Sequence, residues 1–96
     1  MKYILLVSHS VYPDLDEAAQ YYENKSKGLG DKLLDDFEDT LLLVQNLPLS
    51  FQIKQKGFRQ VLLKKFPYLI IFKVYGQEIL VHKFLYTKRH PNRRYK

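Results

Sequence analysis

The 96-residue chain has no cysteine, only three histidines, and almost no acid in its second half. Without cysteine it can form no disulfide framework, no thiolate metal site and no cysteine nucleophile, a composition suited to a reducing cytosol. Three scattered histidines argue against a zinc centre. No run of about 18 uncharged apolar residues offers a membrane span. The apolar start, Tyr3 to Val7, is too short to be the apolar core of a signal peptide. The expectation is a soluble cytoplasmic protein with no metal and no membrane partner. No internal repeat or linker interrupts residues 1–96, which read as one domain with a single core and little room for a deep cleft.

What is present is divided at the middle of the chain. Residues 1–50 hold four lysines against nine acidic groups, a net of −5, while residues 51–96 hold eight lysines and four arginines against Glu78 alone, a net of +11. Clustered like charge sets up a long-range steering field, so the basic pole should draw a polyanion or an acidic protein segment. The alternative is a merely soluble surface, its charge offset by acidic helices beside basic strands. At 46% hydrophobic and 15% aromatic the chain can bury enough surface to fold.

Periodicity divides the chain into elements. Lys2 to Ser8 reads as a strand. Pro13-Asp14 opens a helix with Leu15, Ala18, Ala19 and Tyr22 on one stripe and Asp14, Asp16 and Glu17 in the first turn, where the helix dipole favours acids. Gly28 serves as its C-terminal stop. A second helix runs from about Leu29 to before Pro48, with Leu33, Leu34, Phe37, Leu41 and Val44 apolar and Asp31, Asp35, Asp36, Glu38 and Asp39 as a solvated face.

Arg59 to Lys65, Tyr68 to Tyr75 and Glu78 to Tyr86 read as strands, the last two joined by a type II′ turn at Gly76-Gln77. That turn sets Val74 opposite Ile79, Phe72 opposite Val81 and Ile71 opposite His82. One face then carries Ile70, Phe72, Val74, Ile79, Val81 and Leu85, with Lys83 an intruder that argues for a bulge or an edge. The other carries Leu69, Ile71, Lys73, Tyr75, Leu80, His82, Phe84 and Tyr86, too apolar for open water, so a partner should cover it. The fold class is α+β: an N-terminal strand, a helical hairpin, then a three-stranded antiparallel meander forming one twisted sheet. Residues 88–96 form a basic tail.

Basic residues with interleaved aromatics suit a nucleic-acid surface. Here they are Lys54, Lys56 and Arg59, then Lys64 and Lys65, then Lys88, Arg89, His90, Arg93 and Arg94 flanked by Tyr86 and Tyr95. RNA cleavage would further require a base, an acid and cations for the phosphorane. Among the histidines, His90 could titrate near neutrality, whereas His82 lies mid-strand.

In chain order stand Asp14, Glu17 and Ala18, Tyr21-Tyr22-Glu23, Gly28-Leu29-Gly30, Pro48 and Phe51, Arg59, Phe66-Pro67-Tyr68 with Ile70, and Tyr86-Thr87-Lys88-Arg89-His90-Pro91. This ordered set resembles the RelE/ParE superfamily of type II toxin–antitoxin toxins, its ParE-like, plasmid-stabilisation branch in particular. The resemblance implies a growth-inhibiting toxin, without cofactor, neutralised by a cognate antitoxin whose acidic segment wraps the sheet and helices. RelE-like members cut messenger RNA in the ribosomal A site with strand lysines and arginines and a C-terminal tyrosine; ParE-like members inhibit DNA gyrase. With the strand start laid on Pro67-Tyr68, the paired lysines of the RNA-cutting branch fall on Gln60 and Leu62 and its strand arginine on Leu69. Only Arg89 and Tyr95 match.

The resemblance therefore implies a gyrase inhibitor rather than an enzyme. Lys88, Arg89, Arg93, Arg94 and Tyr86 would bind the target, and Arg59 and Tyr68 are family-pattern positions. Arg59 has a structural alternative, tying its strand to a helix-face carboxylate, and Phe66-Pro67-Tyr68 has another, setting a turn and filling the core. Two functional alternatives stand: a ribosome-dependent endoribonuclease with Arg89, His90 and Tyr95 catalytic, or an inactive homologue that only binds its antitoxin. A dimer or a toxin–antitoxin hetero-oligomer fits any of these.

Overall fold

The computed structural model describes residues 2–88. Strand β1 (Ile4–Val7) leads into α1 (Val11–Lys25) and α2 (Leu29–Asn46), followed by a short 3-10 turn (Pro48–Ser50) and strands β2 (Ile53–Gln55), β3 (Phe58–Leu62), β4 (Tyr68–Tyr75) and β5 (Glu78–Tyr86). The sheet order is β1-β5-β4-β3-β2. β1 runs parallel to β5, and the remaining neighbours are antiparallel. No helix among the described residues is long and apolar enough to cross a membrane.

The meander has four strands instead of three. β2 pairs with β3 around Lys56-Gly57, where both residues have positive φ (53° and 81°), as a two-residue type I′ turn demands. At Gly76-Gln77 only Gly76 has positive φ (60°), which fits the expected type II′ turn.

Helix α1 begins two residues before Pro13. Proline lacks an N–H, but the first-turn N–H groups have no intrahelical partner, so proline is tolerated there. The preceding donors are satisfied outside the helix: Val11 N–H donates to the Ser8 carbonyl and Tyr12 N–H to that of His9. Gly28, expected to stop α1, instead opens α2 with φ 89°. The Glu23 carboxylate accepts the N–H of Gly28 (3.0 and 3.1 Å) and of Gly30 (3.0 Å), satisfying donors at the α2 N-terminus. A Cβ at Gly30 would lie 2.6 Å from the Ala19 carbonyl oxygen, so the hairpin closes only because that side chain is absent.

Both apolar stripes pack on one face of the sheet. Val11, Leu15 and Ala18 of α1 and Leu33, Phe37 and Val44 of α2 meet Ile70, Phe72, Ile79, Val81 and Phe84 in one cluster; burying each large apolar side chain contributes roughly 1.5–3 kcal/mol. Asp36 departs from the solvated face expected of the α2 acids. It is 4% exposed, and its carboxylate accepts the N–H groups of Lys64 (3.2 Å) and Lys65 (2.8 Å), fixing the β3–β4 connection. Asp31, Asp35, Glu38 and Asp39 are not buried, in keeping with that face.

The register holds as far as Phe72↔Val81 and then shifts: Ile71 pairs with Lys83, not His82, and Ile70 with Phe84. His82 is the extra residue of a β-bulge. An extra residue reverses the alternation beyond it, so Phe84 takes the core position expected of Leu85. By the same reversal Tyr86 comes to the helix side, and Lys83 leaves it. On the far face Leu69 and Ile71 are already buried (3% and 0%), whereas Leu62, Ile4 and Leu6 remain about half exposed (58%, 55% and 47%).

Candidate functional site

The motif residues scattered through the chain converge. An open cleft of about 380 Å³ between α1 and the β4–β5 ladder is lined by Asp14, Glu17, Ala18, Tyr21, Tyr22, Tyr68, Phe84 and Tyr86. Spacings of three, four and seven on one helix place Asp14, Glu17, Ala18 and Tyr21 on a shared face. The facing wall comes from the Tyr68↔Tyr86 pair, and it exists because the bulge reversed β5.

The cleft wall is a stack of rings. Tyr68 lies flat on Phe84, with centroids 4.7 Å apart and planes 4° apart, and Tyr86 tilts against Tyr68 at 5.6 Å. Tyr22 meets Phe66 edge-on at 4.8 Å and Tyr68 at 6.3 Å, and Tyr21 stands perpendicular to Tyr22 at 5.1 Å. Such contacts add roughly 0.5–1.5 kcal/mol per pair beyond burial. Burial, aided by neighbouring Tyr22 and a hydrogen bond to its hydroxyl, pushes the Tyr68 phenol up to about 12. Burial likewise raises that of Tyr22, with Tyr21 adding to it. Both phenols stay protonated at neutral pH and present neutral polar tips. The Lys25 ammonium sits 5.0 Å from the Tyr21 ring centroid, a cation–π distance.

Tyr68 is therefore both a structural and a cleft residue. Its N–H donates to the Phe66 carbonyl, its carbonyl accepts the Leu63 N–H, and Thr87 N–H donates to the Pro67 carbonyl; Phe66-Pro67-Tyr68 does set a turn. Arg59 lies away from the cleft. Its guanidinium donates to the Phe51 carbonyl, not to a helix carboxylate, and so ties β3 to the segment entering β2. Tyr86 is on the cleft wall and 37% exposed. Lys88 is exposed in the turn after β5. Arg89, His90, Arg93, Arg94 and Tyr95 lie outside the described residues.

A second polar group sits on the opposite face. His82 packs edge-on against Phe58 at 4.9 Å, its Nε2 is buried without a hydrogen-bond partner, and burial, with Lys73 and Lys83 adding to it, lowers its pKa. The Lys73 ammonium lies 5.2 Å from the Phe58 centroid and 5.5 Å from that of Tyr75. Gln60, Leu62 and Leu69, where the RNA-cutting pattern would have cations, share this face by register. Among the described residues no group of three or more His, Asp or Glu side chains is placed to hold a metal ion.

Sequence reading found the cleft residues one by one but not their meeting. The α1 half was visible as the Asp14, Glu17, Tyr21 spacing; the β5 half was hidden by the bulge.

The architecture is α+β, with a strand, a helical hairpin and then the remaining strands of one sheet, the order that the motif implied. Among solved structures, a chain of the chromosomal ParDE TA system from P. aeruginosa matches it with a TM-score of 0.69 and 20% sequence identity, over 91% of this chain and 98% of that one. That likeness is one of fold. No protein-family model matches the chain, and no curated protein matches it in sequence.

Proposed function

We propose that the chain is the toxin of a type II toxin–antitoxin pair, ParE-like in action: silenced by a cognate antitoxin with an acidic segment, and blocking DNA gyrase when free. The observation that carries this reading is the convergence of Asp14, Glu17, Ala18, Tyr21, Tyr22, Tyr68 and Tyr86 on one cleft, in a fold that matches a chain of a ParDE TA system. Residues picked out for their order in the sequence share a surface next to the start of the basic C-terminal segment. Lys88 is the first cation of that segment, and Arg89, Arg93 and Arg94 follow it. These cations supply the charge that an anionic target such as a gyrase–DNA complex would meet.

Catalysis of RNA cleavage is disfavoured on physical grounds. A phosphorane needs preplaced cations, and at the three strand positions in question the chain has an amide, a half-exposed leucine and a buried leucine: Gln60, Leu62 and Leu69. Purified protein added to gyrase and relaxed plasmid should inhibit supercoiling or trap cleaved DNA, and reporter messages in a translating extract should stay intact. Codon-specific cuts with unimpaired gyrase would replace this reading by the ribonuclease one, with Arg89, His90 and Tyr95 at the site. Neither effect, with antitoxin binding intact, would leave an inactive homologue.

A further inference from the structure

The two edges of the sheet, β1 and β2, are built differently. An unpaired strand edge is a template for another strand, and folded proteins blunt it with lysine, proline, a bulge or a short strand. β2 is blunted: it is three residues long, carries Lys54 and pairs irregularly with β3. β1, Ile4-Leu5-Leu6-Val7, has no charge, no proline and a regular register. Each of the other four strands holds at least one charged residue.

The backbone of β1 is only half used. The N–H groups of Ile4 and Ser8 donate toward β5, to the carbonyls of Gln77 and Val81, so alternation turns the N–H and C=O of Leu5 and Val7 outward. Among the described residues nothing pairs with those outward groups. The Tyr3 carbonyl, which also points out, accepts a hydrogen bond from Gln45 Nε2 at 2.9 Å and closes the edge at that end. Beside the open groups, Ile4 and Leu6 are 55% and 47% exposed on the sheet face away from the helices.

We propose that the β1 edge is an interface between two copies of this chain, paired antiparallel about a two-fold axis at Leu6 so that their sheets join into one. The register follows from the open groups. Leu5 of each copy exchanges both hydrogen bonds with Val7 of the other, and Leu6 faces its own counterpart in the non-hydrogen-bonded pair, where side chains come closest, with Ile4 diagonal to it. A second copy suits this edge better than an acidic segment does, because β1 has no cation to attract one. The charged residues of β2, β3 and β4 are all cations, and those strands lie toward the other end of the sheet. Two four-residue strands bury less than the roughly 1,200 Å² of a standard interface, so association is weak and set by local concentration. This holds whether or not the chain is a toxin.

The test is sedimentation equilibrium of the full-length chain over a concentration series reaching about 1 mM, with folding checked by melting temperature. The wild type should show a monomer–dimer equilibrium with a Kd of order 10–100 µM. Leu6→Lys sets two ammonium groups opposite each other and should raise that Kd about tenfold or more. Leu42→Lys adds the same charge at a 58% exposed site on α2, and should change it by about twofold at most. The register has its own readout, because the chain has no native cysteine. In Leu6→Cys the paired Cα atoms lie about 4.5 Å apart, within disulfide reach, so mild oxidation should link two chains far faster than in Ile4→Cys, whose counterpart is roughly 13 Å along the strand. A wild type that stays monomeric throughout would overturn the proposal and leave the edge to a strand of another protein. Equal weakening by the two lysine variants, or linkage of Leu6→Cys no faster than of Ile4→Cys, would also overturn it.

Discussion

Single atoms decide how closely the two helices approach. At Gly30 an added Cβ would press to 2.6 Å from backbone, which cannot move aside as a side-chain tip could. Gly30→Ala should therefore destabilise the chain by about 1–3 kcal/mol, the range for overpacking, read as a lower urea midpoint with unchanged slope. Asp36 is the acid that composition hid. It lies in an acidic run whose other members are solvated, and nothing local marks it as the one that turns inward to the Lys64 and Lys65 amides. Asp36→Ala should cost about 1–3 kcal/mol, because two part-buried backbone donors lose a charged acceptor; Asp36→Asn, which keeps one carbonyl oxygen, should cost less. Two of the shifted ring groups, Tyr68 and His82, each make a contribution to stability that depends on pH. Tyr68 holds its proton to about 12 when folded against 10 for the free phenol, so its contribution is intact below pH 10 and lost as pH rises from 10 to 12. Tyr68→Phe should lose less stability across that window. His82 is lowered when folded, so its contribution is present above about pH 6.5 and is lost as pH falls below that. His82→Leu should flatten the acid limb of the stability profile.

Among the elements, those with clean periodicity were readable in advance: both helices, the β4–β5 hairpin and its turn follow from apolar stripes and Gly76. β2 was not, because three exposed residues carry no hydrophobic signal and Lys56-Gly57 lacks the Asn-Gly or Asp-Gly signature of a type I′ turn. The bulge was half readable. Lys83 on an apolar face argued for an irregularity, but only the ladder shows that His82 is the added residue and that Phe84 and Tyr86 thereby turn toward the helices. Deleting His82 makes the ladder regular while leaving Phe84 opposite Ile70 and Tyr86 opposite Tyr68. That variant should fold, with a melting temperature lower by only a few degrees, of order 1 kcal/mol. Deleting Val81 instead takes a fully buried core side chain and sets His82 opposite Phe72. It should fail to give a cooperative transition in calorimetry.

Over the whole molecule the division of charge becomes a division of surfaces. The acids of the first half lie on the outward sides of α1 and α2, except Asp36 and the half-buried Glu23, which hold backbone donors, and Asp14 and Glu17, which face the cleft. The cations of the second half lie on the sheet and its connections and continue past Lys88. If the segment after β5 neutralises phosphates, replacing Arg89, Arg93 and Arg94 by alanine should reduce the salt dependence of DNA binding by roughly 0.9 for each phosphate no longer neutralised; an unchanged slope would make those residues solubility charges. The candidate site was legible as a set of residues and not as a place, since the sequence shows α1 spacing directly but Tyr86 only through a register shift. The most direct measurement is bacterial growth after induction of the wild-type chain and of Arg89→Ala/Arg93→Ala/Arg94→Ala. Wild type should arrest growth and the triple variant, equally abundant and folded, should not; growth with wild type indistinguishable from an empty vector would refute the toxin reading.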